Sequence, residues 1–533
     1  MLVLSSRLGQ SEPIPAPADD EGMIMADPTA TTTLDKPGDE PELKRVMGPK
    51  LLLLFIVGDI LGTGIYAVTG DVAKEVGGAV WLPFLVAFVV ATMTACSYLE
   101  LVTKYPQAAG AALYVHKAFG VHFVTFLVCF TVMCSGITSA ATAARAFAVN
   151  LELFVNVVRG WGGLDDVAIS DGLTTLLAVM FMLLILLVNL RGVAESVYAN
   201  IVLTCVELSG LVLVILVGVY AMAGGRADFS RVVMFDSPAE KGVFLGITAG
   251  TSLAFFAMVG FEDSVNMAEE TKDPVRIFPK MMISGILITG LIYVLVSLCS
   301  VALVPVGELA KSDTPLVNVV ETAAPGIPIN TLLPFISMFA VANSALINML
   351  MASRLLYGMS RQAVLPAFLG KVHRGRRTPW AAILFTTALA FGLIVYVSSA
   401  SSDAIATLGG TTSLLLLGVF TLVNICVLVL RRRDRDTDLT RRDLDADPSN
   451  DAEPPVSRNH FVTPTVLPVI GAVACLFLVT PFSGRASSHY VVAGLLLALG
   501  VVLWAVTWMA NRAFGAKKTY FRDPSDLSGD GPR

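Results

Sequence analysis

Residues 51–70 read LLLLFIVGDILGTGIYAVTG. The run is long and apolar enough to cross a membrane, for which a helix needs about 20 residues. Glycines at 58, 62, 64 and 70 and an aspartate at 59 interrupt it. Each glycine costs about 1 kcal/mol against alanine in a helix interior. In lipid, backbone groups freed by a break must be satisfied by protein, water or ligand. Gly62-Thr63-Gly64 would therefore present backbone N–H groups at the start of a half-helix, a place suited to a carboxylate. Close helix packing through small residues accounts for the same glycines. From this span alone the two readings are level.

Residues 253–279, LAFFAMVGFEDSVNMAEETKDPVRIFP, tip the balance. Gly260 follows an apolar run, and Glu262-Asp263 come directly after it in mid-span. A continuous lipid-facing helix would not carry two carboxylates there. A second broken helix would, and its freed carbonyls near Phe256–Met258 suit an ammonium. Two interrupted helices in corresponding positions of two halves are the pattern by which membrane proteins build a mid-bilayer binding site.

Composition agrees with the membrane reading. The 533 residues are 55% hydrophobic and only 15% charged, against about 25% charged in soluble proteins. Twelve spans are expected, with cores at 50–69, 79–103, 122–150, 172–190, 197–222, 244–267, 281–304, 331–357, 379–399, 405–430, 463–481 and 490–511. With the N-terminus inside, Lys and Arg in the inner loops and tails outnumber the outer ones about threefold, which puts both termini in the cytoplasm. The seven cysteines all fall in apolar runs and form no CxxC pair; they read as packing residues, with neither disulfide nor metal implied. No cofactor and no nucleic-acid partner are expected.

The expected organisation is a disordered cytoplasmic tail over 1–46, without a signal-peptide pattern. A ten-helix core follows over 47–430, then a charged loop over 431–461, two further helices over 462–512, and a second tail over 513–533. Ala143-Ala144-Arg145 and Ala352-Ser353-Arg354 hint that 50–222 and 244–430 are inverted repeats, although three residues match as readily by chance.

The ordered set of motifs resembles the amino acid–polyamine–organocation superfamily. Gly62-Thr63-Gly64-Ile65-Tyr66 is similar to its first-helix break. Tyr98-Leu99-Glu100-Leu101 and Tyr105-Pro106-Gln107-Ala108-Ala109-Gly110 are similar to its second-helix stretch. Phe256–Glu262 followed by Ala268-Glu269-Glu270 resembles its sixth-helix signature and the loop after it. Ser353–Arg361 with Leu365-Pro366 resembles the end of its eighth helix. The resemblance implies an all-α membrane protein of the LeuT-type fold, a 5+5 inverted repeat plus two extra helices. It implies secondary transport of an amino acid across the plasma (inner) membrane by symport or exchange, coupled to a proton, with sodium as the alternative.

Residue by residue, the resemblance implies that Thr63, Gly64 and Ile65 hold a substrate carboxylate through backbone N–H groups, with Gly62 beside them in the site. Phe256, Ala257 and Val259 would offer carbonyls to the amino group, with Met258 beside them in the site and Phe256 closing as a lid. The chain departs from its relatives at Met258, where an aromatic is common, and at Glu207, which follows the Asn200 and Thr204 frame where a lysine is common. Glu207 is thus the foremost candidate for coupling, with Glu262 and Asp59 beside it; a neutral, purely structural Glu207 is the plainer alternative. A polyamine or cationic amino acid exchanger and a non-transporting sensor are the other readings. An enzyme is disfavoured, because the chain has no phosphate-binding loop, HExxH or GxSxG.

Overall fold

The computed structural model describes residues 45, 47–107, 110–161, 163–165, 170–191, 196–235, 241–325, 329–362, 364–373, 376, 378–445 and 460–513. Most of the expected tails, 1–44 and 514–533, and residues 446–459 of the expected charged loop lie outside them.

Apolar runs of this length become helices because a helix bonds every backbone group within its own segment. In chain order these are α1 Pro49–Val76, α2 Trp81–Lys104, α3 Gly110–Phe119, α4 His122–Trp161, α5 Asp171–Arg191, α6 Ser196–Ala223 and α7 Val243–Ala254. They continue as α8 Pro274–Leu303, α9 Val306–Leu309, α10 Pro315–Ala323, α11 Ile329–Arg361, α12 Trp380–Ala400, α13 Ala404–Asp445, α14 Val466–Val479 and α15 Ser487–Ala513. No strand occurs among the described residues; one isolated backbone pairing joins Met47 to Thr271.

Eleven segments among the described residues are long and apolar enough to cross a membrane, with α7 and the turns after it, Val243–Met267, counted as one. The expected eleventh span, 463–481, is instead the 14-residue α14. At 1.5 Å per residue it measures about 21 Å, short of the roughly 30 Å hydrocarbon layer. α13 also runs past 430, where a linker was expected, to Asp445. The stretch RRRDRDTDLTRRDLD contains neither glycine nor proline, and a helix already nucleated propagates at little cost.

α1 lies at the centre. It packs on α6, α7, α8 and α11, and 78% of its apolar window is buried in protein, against 28% for α15 at the periphery. α4 runs along α11 and α13 and forms the second wall around α1. This arrangement leaves polar groups of α1 facing protein, the one place in a bilayer where they are tolerated.

Candidate functional site

The first break falls at Gly62, whose φ of 0° and ψ of −153° interrupt α1. α8 reaches two carbonyls just before the kink. The Tyr293 hydroxyl lies 2.6 Å from the Ile60 carbonyl oxygen and 3.0 Å from that of Leu61, and donates into the pair. On the far side of the break, the Thr63 N–H donates to Ser344 Oγ of α11 at 3.4 Å. A Cβ on Gly62 would lie 2.5 Å from the same Ser344 Oγ, so a side chain there requires Ser344 to give way.

The second break follows α7. Phe255–Met258 forms a 3-10 turn, Val259 is extended, and Gly260 sits at φ +124°, a region that favours glycine. A second 3-10 turn, Asp263–Met267, leads toward α8. The Gly260 N–H donates to Glu262 Oε2 at 2.9 Å, so the break is capped by a side chain two residues on.

The two breaks interlock. A Cβ on Gly64 would strike the Ala257 backbone, and a Cβ on Gly260 would come within 2.6 Å of the Asp59 carbonyl oxygen. The space beside Gly64 is therefore filled by the second break, the close packing that small residues allow. Between the breaks lies a cavity of about 20 Å³, lined by Asp59, Thr63, Phe256, Asp263, Ser344 and Asn348 among others. That is room for about one water, so a larger occupant requires the walls to move. Asp59 Oδ2 and Thr63 Oγ1 are buried and without a hydrogen-bond partner.

Of the expected site residues, Asp59, Gly62, Thr63, Gly64, Phe256 and Val259 line this cavity. Ile65, Ala257 and Met258 are buried beside it but outside its lining. Glu262 lines two adjoining cavities with Asp263. Glu207 lines none of them. It is fully buried on α6, with the Tyr66 hydroxyl donating to its main-chain oxygen at 3.2 Å and neither carboxylate oxygen partnered. Tyr293, Ser344, Asn348 and Ser139 were not among the expected residues, since a single hydroxyl or amide in an apolar run gives no signal of its direction.

The ring of Phe256 rests on α13, where a Cβ on Gly409 would meet it at 3.0 Å. One residue on, Arg485 from the turn between α14 and α15 donates to the Gly410 carbonyl at 2.6 Å and to Ser413 Oγ at 3.0 Å. Burial lowers the Arg485 guanidinium to about 10. At the start of α1, the Met47 N–H donates to the Glu270 carbonyl (2.9 Å) and the Lys272 N–H to the Met47 carbonyl (3.1 Å). At its other end Lys74 bonds both Asp71 and Asp403, each at 2.7 Å. Glu100 of α2 accepts from Arg431 Nε at 2.7 Å and from the Thr463 N–H at 2.8 Å, an anchor between α2 and α13.

Paired broken helices around a small polar cavity define a multi-pass membrane protein with a mid-bundle site. The chain belongs to the amino acid permease family, whose model matches residues 50–506. It is 30% identical to the vacuolar cationic amino acid transporter 4 of Arabidopsis thaliana over 70% of this chain and 61% of that protein. It is 26% identical to the branched-chain amino acid permease BcaP of Bacillus subtilis over 74% of this chain and 83% of that one. A methylthioribose transporter of Bacillus subtilis is 26% identical over 75% and 84%. The chain thus spans about three-fifths of the length of the first plant relative, and of a second, the chloroplastic cationic amino acid transporter 9, it spans 60% at 31% identity.

Proposed function

We propose that the protein carries an amino acid across a membrane by alternating access, with the substrate held between the two breaks. The observation that carries this reading is the meeting of both broken backbones at one cavity, with Thr63 and Gly64 on one side and Phe256 and Val259 on the other. The α-carboxylate would sit on the N–H groups of Thr63, Gly64 and Ile65, at the positive end of the second half of α1. The α-ammonium would face carbonyls of the Phe256–Val259 turn. Phe256 would act as the lid, releasing Gly409 as α13 moves. The plasma membrane, cytoplasmic termini and the inverted repeat belong to the same proposal.

Coupling would rest on Glu207. A carboxylate buried without partners is costly unless it is neutral or binds a cation, and Glu207 lies on the α6 face that carries Thr204 against Gly58 and Gly210 near the Tyr66 hydroxyl. Alternate uptake and release of a proton there would tie substrate movement to the gradient; a sodium ion is the second cation that fits. Counterflow of labelled amino acids in proteoliposomes tests transport, and absence of counterflow for every amino acid overturns it. In Glu207→Gln, exchange should persist while gradient-driven accumulation falls to equilibrium; intact accumulation removes Glu207 from coupling.

A further inference from the structure

The carboxylates around the breaks outnumber what an α-amino acid backbone needs. Asp59 is 8% exposed, lines the cavity between the breaks, and leaves Oδ2 without a partner. Asp263 lines that cavity and both cavities adjoining it; Glu262 joins it in the second and third. The three cavities form a series. The first and second share Val259, Asp263 and Asn348, and the third reaches α3 at Gly110–Ala112. No Lys, Arg or His is among their lining residues. Asp59 lies within electrostatic reach of Asp263, Glu262 and Glu207.

Glu262 is committed to the Gly260 N–H. The free oxygen of Asp59 is not committed, nor is the Thr63 hydroxyl in the same lining. Two carboxylates facing one small cavity without a cation repel each other at low dielectric, and a bound cation relieves that repulsion. The α-ammonium in the proposed pose is satisfied by carbonyls, so this pair is left for a second positive group.

We propose that Asp59 and Asp263 form a subsite for a cationic side chain, so that the transported amino acid carries an ammonium or guanidinium beyond its α-amino group. The assignment rests on the amino acid pose proposed above, and it separates Asp59 from coupling. The acidic lining continues from Asp263 to Glu262 and toward α3, which gives the same side chain a favourable route away from the breaks.

The test is binding to the purified full-length protein in nanodiscs, comparing lysine, norleucine (lysine without its side-chain ammonium), cadaverine (lysine without its carboxylate), and sodium or potassium chloride alone. Lysine should bind about tenfold or more tighter than norleucine, as one charge-assisted contact implies. Asp59→Asn and Asp263→Asn should each weaken lysine by about tenfold while norleucine stays within about threefold. Asp59→Glu should keep lysine binding, and norleucine binding certifies that each variant is folded. Equal wild-type affinity for lysine and norleucine overturns the subsite, as does lysine affinity unchanged in both Asn variants. Saturation of Asp59 by sodium or potassium with no lysine preference also overturns it, in favour of an inorganic cation site. Cadaverine binding as tightly as lysine would sustain the subsite and overturn the carboxylate pose instead.

Discussion

The two breaks solve one problem in opposite ways. The break in α1 is held from outside, by Tyr293 of α8 and Ser344 of α11. The break after α7 is capped from within, by Glu262 bonding the Gly260 N–H, with one bond from outside, the Ser413 hydroxyl of α13 donating to the Ser252 carbonyl. A break satisfied by its neighbours is only as stable as its docking to them, whereas a self-capped break keeps its shape when its neighbours move. On this view α1 is the element whose local geometry changes as helices shift, and the 255–267 segment is the rigid counterpart.

The largest effect should come from the glycines where the two meet. Gly260→Ala places a Cβ at φ +124° against the Asp59 carbonyl, and Gly64→Ala places one in the Ala257 backbone. Strain and overpacking together imply a loss of about 3 kcal/mol or more, read as a collapse of thermal stability in detergent. Gly64→Leu should therefore lose stability as well as transport. Gly58→Ala meets only the Thr204 side chain, and should cost visibly less; equal losses at 58, 64 and 260 would break the claim of backbone interlock.

Next comes Tyr293→Phe, which removes the hydroxyl bonded to Ile60 and Leu61. Leaving buried carbonyls unpaired costs about 1–3 kcal/mol, measurable by thermal unfolding. Glu262→Ala should cost about 1 kcal/mol, and Glu262→Gln less, because the amide oxygen still accepts from Gly260. If Glu262→Ala proves the more damaging of the two caps, the comparison is inverted. The smallest quantity is the coupling energy in a double-mutant cycle of Tyr293→Phe with Glu262→Ala. Interlocked breaks should give more than about 0.5 kcal/mol, and independent ones additive losses.

Both breaks were legible in the sequence because they violate its own pattern: glycines at 58, 62 and 64, then Gly260 followed by two carboxylates, in runs that are otherwise apolar. Their partners were not legible. Tyr293 and Ser344 sit in α8 and α11, more than 200 residues from the groups they bond, and an isolated hydroxyl in a helix can as easily bond the preceding turn, as Thr289 does with the Gly285 carbonyl. Glu207 stood out as a charge in mid-span, yet its place behind α1 and apart from the cavity depends on how α6 is rotated. Hydrophobic periodicity could not supply that rotation, since α6 is apolar nearly all round. α14 is shorter than the expected 463–481 at both ends, beginning at Val466 and stopping at Val479 before Pro481, and apolar length alone does not show such boundaries.

The pairing of Met47 with Glu270 and Lys272 joins the start of one broken helix to the loop that leaves the other. Its two amide protons, on Met47 and Lys272, belong to no helix and are protected only while that junction is closed. They form a natural pair of reporters. In hydrogen–deuterium exchange both should take up deuterium at one shared rate, set by how often the α1 end of the bundle parts from the 270–272 loop, while amides in the middle of α4 stay protected on the same timescale.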